Sequence, residues 1–179
     1  MKFIGIFLLG LSSFTILNAQ ESVARQLVSN EHEAECGKPH SDGKVYDYRE
    51  GRVMRIVDGN KIEFQQRELN GEEKKATYLV QLAGINSKDD QAGLAKFLKE
   101  KILGKNVMVA GNTNINSDSD FAGSVWEANL GDVNQYILRN GITGFAESEF
   151  KGVSPFTLCV SRRLADKAKA ERIGIWANR

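Results

Sequence analysis

Two runs that favour extended backbone, Arg52 to Val57 and Lys61 to Gln66, are separated by little more than Asp58-Gly59. An Asp-Gly pair between such runs is the strongest short-range signal for a β-hairpin, because the tight turn demands backbone angles that Asp and Gly tolerate. The hairpin commits the start of the domain to antiparallel sheet. A polar turn, LNGEEKK, leads to a third strand from Ala76 to Ile85. Its end is the stretch VQLAGINSKDD, residues 80–90, which turns at Gly84 and leaves Asn86, Ser87, Lys88 and Asp89 clustered where a small barrel would place a site.

The rest of the chain fits the same architecture. Leu94, Phe97, Leu98, Ile102 and Leu103 form the apolar stripe of an amphipathic helix closed by Gly104. Val107 to Ala110 reads as a fourth strand and Gly123 to Asn129 as a fifth, with the polar loop GNTNINSDSD between them. Asp132 is placed to cap a short helix from Val133 to Arg139, and Pro155 to open a last helix running to about Arg172. The order βββαββαα predicts a β-rich α+β fold: a five-stranded Greek-key barrel of the OB type, packed by about three helices.

Upstream, Met1 and Lys2 precede an apolar run from Phe3 to Leu17, followed by Asn18 and Ala19. This is the pattern of a secretory signal peptide over residues 1–19, cleaved after Ala19 or Gln20. The run falls short of the roughly 20 apolar residues of a membrane span. Residues 20–50 read as a polar extension and 51–179 as the domain. The expectation is a secreted protein, extracellular or periplasmic, with no membrane segment in its mature form. Loss of Lys2 leaves 23 basic residues against 23 acidic ones, so whole-chain charge gives no support to strong nucleic-acid binding. The last segment, with Arg162, Arg163, Lys167 and Lys169, is locally basic.

The two cysteines, Cys36 and Cys159, are expected to form a disulfide in an oxidising compartment. The competing reading is zinc, since His32, Cys36 and His40 recur every four residues, but Gly37 and Pro39 break the helix that would align them. Both histidines lie here, leaving none in the barrel for acid–base catalysis. The chain also lacks a Gly-rich phosphate loop, G-x-S-x-G and C-x-x-C. Phe121 and Trp126 are either core aromatics or stacking faces for bases.

Five segments in order, IVDGNKI, VQLAGI, LGKNVMV, GDVNQYILRNG and RRLADKAKAERIGIW, resemble those of the staphylococcal nuclease-like (thermonuclease) family. The resemblance covers nearly all of Gly51 to Trp176. It implies the same OB-type barrel and a Ca²⁺-dependent hydrolysis of DNA and RNA phosphodiesters. In that family two aspartates and a backbone carbonyl help hold the ion, a glutamate helps activate water, and two arginines stabilise charge on phosphorus. Ca²⁺ takes six to eight oxygens, several of them anionic. The water needs a base, and the transition state needs fixed cationic donors.

Carried over by motif, the first metal aspartate falls on Asn60 and the second on Asn86, with the carbonyl ligand on Ser87. Asp58 opens the D-G turn, either as a further oxygen of that site or as ordinary hairpin chemistry. The base falls on Asp89, one methylene shorter than the family's glutamate, and the proline before it is Lys88. One arginine position is Gln81, which carries no charge and cannot fork bidentately. The other falls within FAGS, on Gly123 or a neighbour. Loss of one preorganised donor costs about 10² to 10³ in rate, and the combined changes imply a deficit on the order of 10⁴ or more. The expected protein is a catalytically impaired nuclease-like domain acting as a binding or interaction module, with no cofactor. Its partner would be a protein or, weakly, nucleic acid. Two alternatives stand beside it: an active Ca²⁺-dependent phosphodiesterase, and nucleic-acid binding without cleavage.

Overall fold

The computed structural model describes residues 34–39, 46–67, 76–112, 121–147 and 153–178. The expected signal peptide, His32, His40, the LNGEEKK turn and most of the loop after the fourth strand lie outside the described residues. The chain divides into two compact units, Met1–Gly37 and Lys38–Arg179. Of the first, residues 34–36 form a helical turn. Cys36 and Cys159, the chain's two cysteines, are disulfide-bonded, as the composition predicts. Oxidation removes the thiolate that a zinc site at Cys36 would use.

In the second unit, β1 (Tyr46–Asp58) is thirteen residues long, beginning five residues before Gly51, where the sequence pattern suggests a start. It pairs antiparallel with β4 (Asn106–Asn112) through Tyr46–Arg52 and with β2 (Lys61–Gln66) through Gly51–Asp58. The change of partner is centred on Gly51. A Cβ there would run into the Gln65 carbonyl and the Phe64 ring, so glycine allows the two backbones to meet. Register shifts between Val53 and Arg55, and again between Ile56 and Asp58, coil the strand further.

β3 (Thr77–Leu82) continues the meander beside β2, and β5 (Phe121–Glu127) lies antiparallel to β4. A parallel pairing of β3 with β5, Val80 opposite Phe121 and Leu82 opposite Gly123, closes the ring. The result is the expected α+β fold, a closed five-stranded OB-type barrel. The two-residue β6 (Gly131–Asp132), paired with β5, has no counterpart in the sequence pattern, being too short to carry any periodicity.

Among the described residues of this unit three α-helices pack on the barrel: α1 (Gln91–Lys101), α2 (Val133–Arg139) and α3 (Pro155–Ala170), followed by a 3₁₀ turn at Gly174–Trp176. Each α-helix starts on a side-chain cap. Asp90 accepts from Gly93 N at 2.9 Å, Asp132 from Gln135 N at 3.0 Å and Ser154 from Thr157 N at 3.1 Å. Such caps stabilise a helix by about 1 kcal/mol each. Leu94, Leu98 and Ile102, four residues apart, enter the core with Val53, Ile62, Phe64, Val80, Leu82, Val109, Val125 and Ile137. Leu103, counted in the helical stripe, is instead 43% exposed, because the chain has already turned toward Gly104 (φ 73°). Met54 and Val57 likewise face outward; of the apolar run in β1, Val53 is fully buried and Ile56 packs against the core.

Candidate functional site

The polar cluster after β3 is built by a turn and a clamp. Gly84 adopts φ 75°, reversing the chain, and Ile85 bridges Phe145 in the segment after α2. Asn86 N donates to Gly144 O at 3.0 Å, Ala146 N donates to Gly84 O at 3.0 Å, and the Thr143 hydroxyl donates to Asn86 O. The loop is therefore stitched to residues 143–146 along its backbone. Gly144 is required by close approach, since a Cβ on it would collide with the Asp89 carboxylate.

Within this frame each candidate side chain has a partner or a place. Asn60 is 3% exposed; its side-chain Nδ2 donates to Ile85 O at 3.1 Å, and its backbone carbonyl accepts from Leu82 N at 2.7 Å. Asn60 thus ties the β1–β2 hairpin to the end of β3. Asp58 accepts from Asn60 N at 3.2 Å through Oδ1, the local hydrogen bond of an Asx turn. Asn86 uses both ends of its amide, accepting from Lys88 N at 3.0 Å and donating to Asp89 Oδ2 at 3.0 Å. Asp89 Oδ2 also accepts from Gly144 N at 3.1 Å. Ser87 is half-buried beside them and Lys88 is exposed.

The two positions that the resemblance aligns with arginines, Gln81 and Gly123, lie on the paired strands β3 and β5. Gln81 is half-buried in β3, in register with Lys61 on one side and Ala122 on the other. Gly123 packs against β4 so closely that a Cβ would sit 2.5 Å from Ala110 O, leaving no room for any side chain. Phe121 is 8% exposed, with its ring edge-on to Tyr78 at 6.0 Å and the Arg49 guanidinium 5.3 Å from its centroid. That ring belongs to the barrel interior and offers no face to a base. Trp126 is half-buried and reaches the surface.

No family model and no curated protein matches this chain. The geometry must carry the reading. A Ca²⁺ ion needs several free oxygens turned to one point, whereas Asn60 and Asn86 direct their amide nitrogens to Ile85 O and Asp89, and Asp89 Oδ2 already receives two N–H donors. Among the described residues no three His, Cys, Asp or Glu side chains converge as a metal site. The residues present do not fit the ion.

Two residues of consequence, Asn134 and Arg49, escape a motif reading, and a third, Asp132, does more than its place as a cap foretells. Asn134, in α2, is 2% exposed; it donates to Ala83 O at 3.0 Å and to Gly123 O at 3.1 Å and accepts from Val125 N at 3.1 Å. It staples the closing strands β3 and β5 together. A polar residue between Val133 and Ile137 on a short apolar helix is the signal that could have found it. Arg49 lies 4.6 Å over the Tyr78 ring and pairs with Asp47 at 2.7 Å. Asp132 does more than cap α2: burial pushes its carboxyl up to about 6, against the lowering effect of the Gln135 and Asn134 N–H groups.

Proposed function

We propose that the chain is a divergent staphylococcal nuclease-like domain that is exported, has lost efficient phosphodiester hydrolysis and acts as a binding module. One observation carries this reading: the side chains at the metal and base positions are spent on structural hydrogen bonds, Asn60 to Ile85, Asn86 to Asp89, and Asp89 to Gly144. The frame that positions a site is kept while the groups that would do chemistry hold the frame. Export is supported by the disulfide, which persists in oxidising compartments. Among the described residues no helix is long and apolar enough to cross a membrane.

A second reading, nucleic-acid binding without cleavage, is favoured by α3, on which Arg162, Arg163, Lys167 and Lys169 are exposed, with Asp166 among them and Arg162 paired to Glu147 at 2.8 Å. Both readings meet one experiment. The oxidised protein is incubated with single-stranded DNA and with RNA, in Ca²⁺ or in chelator, while cleavage and fluorescence anisotropy are followed across salt. The binding-module reading expects hydrolysis at least about 10⁴ below an ordinary nuclease of this type. Chelator-sensitive cleavage at ordinary rates would overturn it, and salt-steep binding without cleavage would select the second reading.

A further inference from the structure

On the outer side of the barrel the strand registers set six side chains in two rows. Glu50 in β1 lies opposite Met108 in β4, and Met108 lies opposite Trp126 in β5. One step along, Arg52 is flanked by Gln65 of β2 and Asn106 of β4. Their chain neighbours Val53, Phe64, Val107 and Val125 are buried in the core, so strand alternation turns all six outward. Glu50, Arg52 and Asn106 are exposed, and Gln65, Met108 and Trp126 half-buried. All six line one groove of about 770 Å³, which shares no lining residue with the cluster after β3.

The groove is held in shape from its rim. Arg52 Nε donates to Gly104 O at 2.7 Å, which fixes the plane of the guanidinium. On the β5 side Glu127, 5% exposed, accepts from Asn129 N at 2.9 Å and from Leu130 N at 3.1 Å and pairs with Lys105 at 3.3 Å, so its carboxylate shapes the β5–β6 turn. The Trp126 ring stands beside that of Tyr48, centroids 6.5 Å apart and planes tilted by 43°.

Spacings of about 5 Å across strands and about 7 Å along them put an indole and a thioether next to a carboxylate, a guanidinium and two amides. An amide both donates and accepts, a carboxylate accepts at two oxygens, and a guanidinium donates as a planar fork. Adjacent hydroxyls on a sugar ring, each a donor and an acceptor, match such groups in pairs, while the ring's C–H face is apolar enough to lie on an aromatic side chain. Charge points the same way. Glu50 and Arg52 are neighbours on one face of one strand, so a ligand of a single sign gains at one and loses at the other, whereas a neutral polyol bonds to both. We infer that the groove lined by Glu50, Arg52, Gln65, Asn106, Met108 and Trp126 is a binding site for a short neutral oligosaccharide. Its volume falls within the roughly 300 to 1,000 Å³ of small-ligand sites, room for a few pyranose rings. The groove is centred on β1 and β4 rather than on the β2–β3 face that OB barrels commonly use for oligomeric ligands, and the assignment is independent of the nuclease-like reading.

Cellotetraose, chitotetraose and maltotetraose are titrated separately into the ¹⁵N-labelled full chain with its disulfide intact, beside trigalacturonate and tetrathymidylate as anionic counterparts. Amide and indole shifts are followed by NMR, with Trp176→Phe used to assign the Trp126 indole. Saturable shifts at the Trp126 indole and at the amides of Glu50, Arg52 and Met108 are expected for at least one of the three sugars with Kd about 1 mM or tighter, and at least roughly tenfold weaker binding for both anionic ligands. Asn106→Ala, at an exposed position, should weaken that sugar by about fivefold, and Trp126→Ala by about tenfold or more. Absence of saturation by all three sugars up to about 20 mM, saturable shifts confined to residues outside the groove, an anionic ligand bound as tightly as the sugar, or an undiminished affinity in Asn106→Ala would each overturn the assignment. The comparison of ligands on the parent chain decides the matter even if Trp126→Ala folds poorly.

Discussion

Replacing Asn60 with aspartate restores the residue of the nuclease-like pattern, and the structure says that it should do harm. Asn60 Nδ2 donates 3.1 Å to Ile85 O from a position 3% exposed. A carboxylate there loses the donor, faces a carbonyl oxygen and is held away from water. The lost hydrogen bond counts about 1 kcal/mol and the unpaired buried acceptors about 1 to 3 more, so Asn60→Asp should destabilise the fold by roughly 2 to 4 kcal/mol at neutral pH. The effect has a pH signature. Protonation gives the new carboxyl an O–H to donate to Ile85 O, so its folded-state pKa should lie about two units above the unfolded value. Between those two values the native state holds a proton that the unfolded chain releases, and stability falls as pH rises. Urea unfolding at several pH values measures this: the gap between variant and parent should be widest near pH 7 and shrink toward about pH 4. Equal stability at neutral pH, or a rise in the variant's midpoint on adding Ca²⁺, would show that Asn60 is a vacated metal ligand rather than a structural donor.

Three further perturbations test other joints. Asp132→Asn should stabilise the protein by about 1 to 3 kcal/mol above pH 6 and hardly at all below about pH 4; the wild-type carboxyl, raised from 3.8 to about 6, carries its full penalty only when ionised in both states. Urea midpoints against pH report it. Asn134→Ala strands the buried Val125 N–H and removes two acceptor contacts across the closing strands, and should cost roughly 3 kcal/mol by the same measurement. Reducing the Cys36–Cys159 bond, which closes a loop of more than a hundred residues, should lower stability by about 4 to 5 kcal/mol in the chain-entropy model, read as a denaturant midpoint with and without reductant.

Much of this fold was legible because its signals are local. The Asp58-Gly59 turn, the 2-residue alternation of β2, the Asp132 and Pro155 helix starts and the Leu94–Leu98–Ile102 stripe each depend on neighbours a few residues away. Barrel closure was inferred from the order of elements and is supplied by the β3–β5 pairing. The roles of the site residues were less legible. Side-chain chemistry shows that Asn60 retains a carbonyl oxygen; only the fold shows that its nitrogen is the atom engaged, with a carbonyl 25 residues away. Asp89 is similar, for its partner Gly144 lies 55 residues downstream. The outward facing of Met54 and Val57 follows from bulges that shift the strand's alternation, and no periodicity in the sequence announces them.

The strand pairing that closes the barrel has a kinetic consequence. Val80 and Phe121 meet from 41 positions apart in the chain, in parallel, with α1 and β4 between them. Such a contact yields nothing until the intervening chain is ordered, so the β1–β2–β3 meander should form early and closure late. Until then the edges of β3 and β5 are open to any extended segment, including that of another copy. Asn134, bonded to both strands, would act at that last step, and its replacement should slow refolding more than a surface mutation of equal cost.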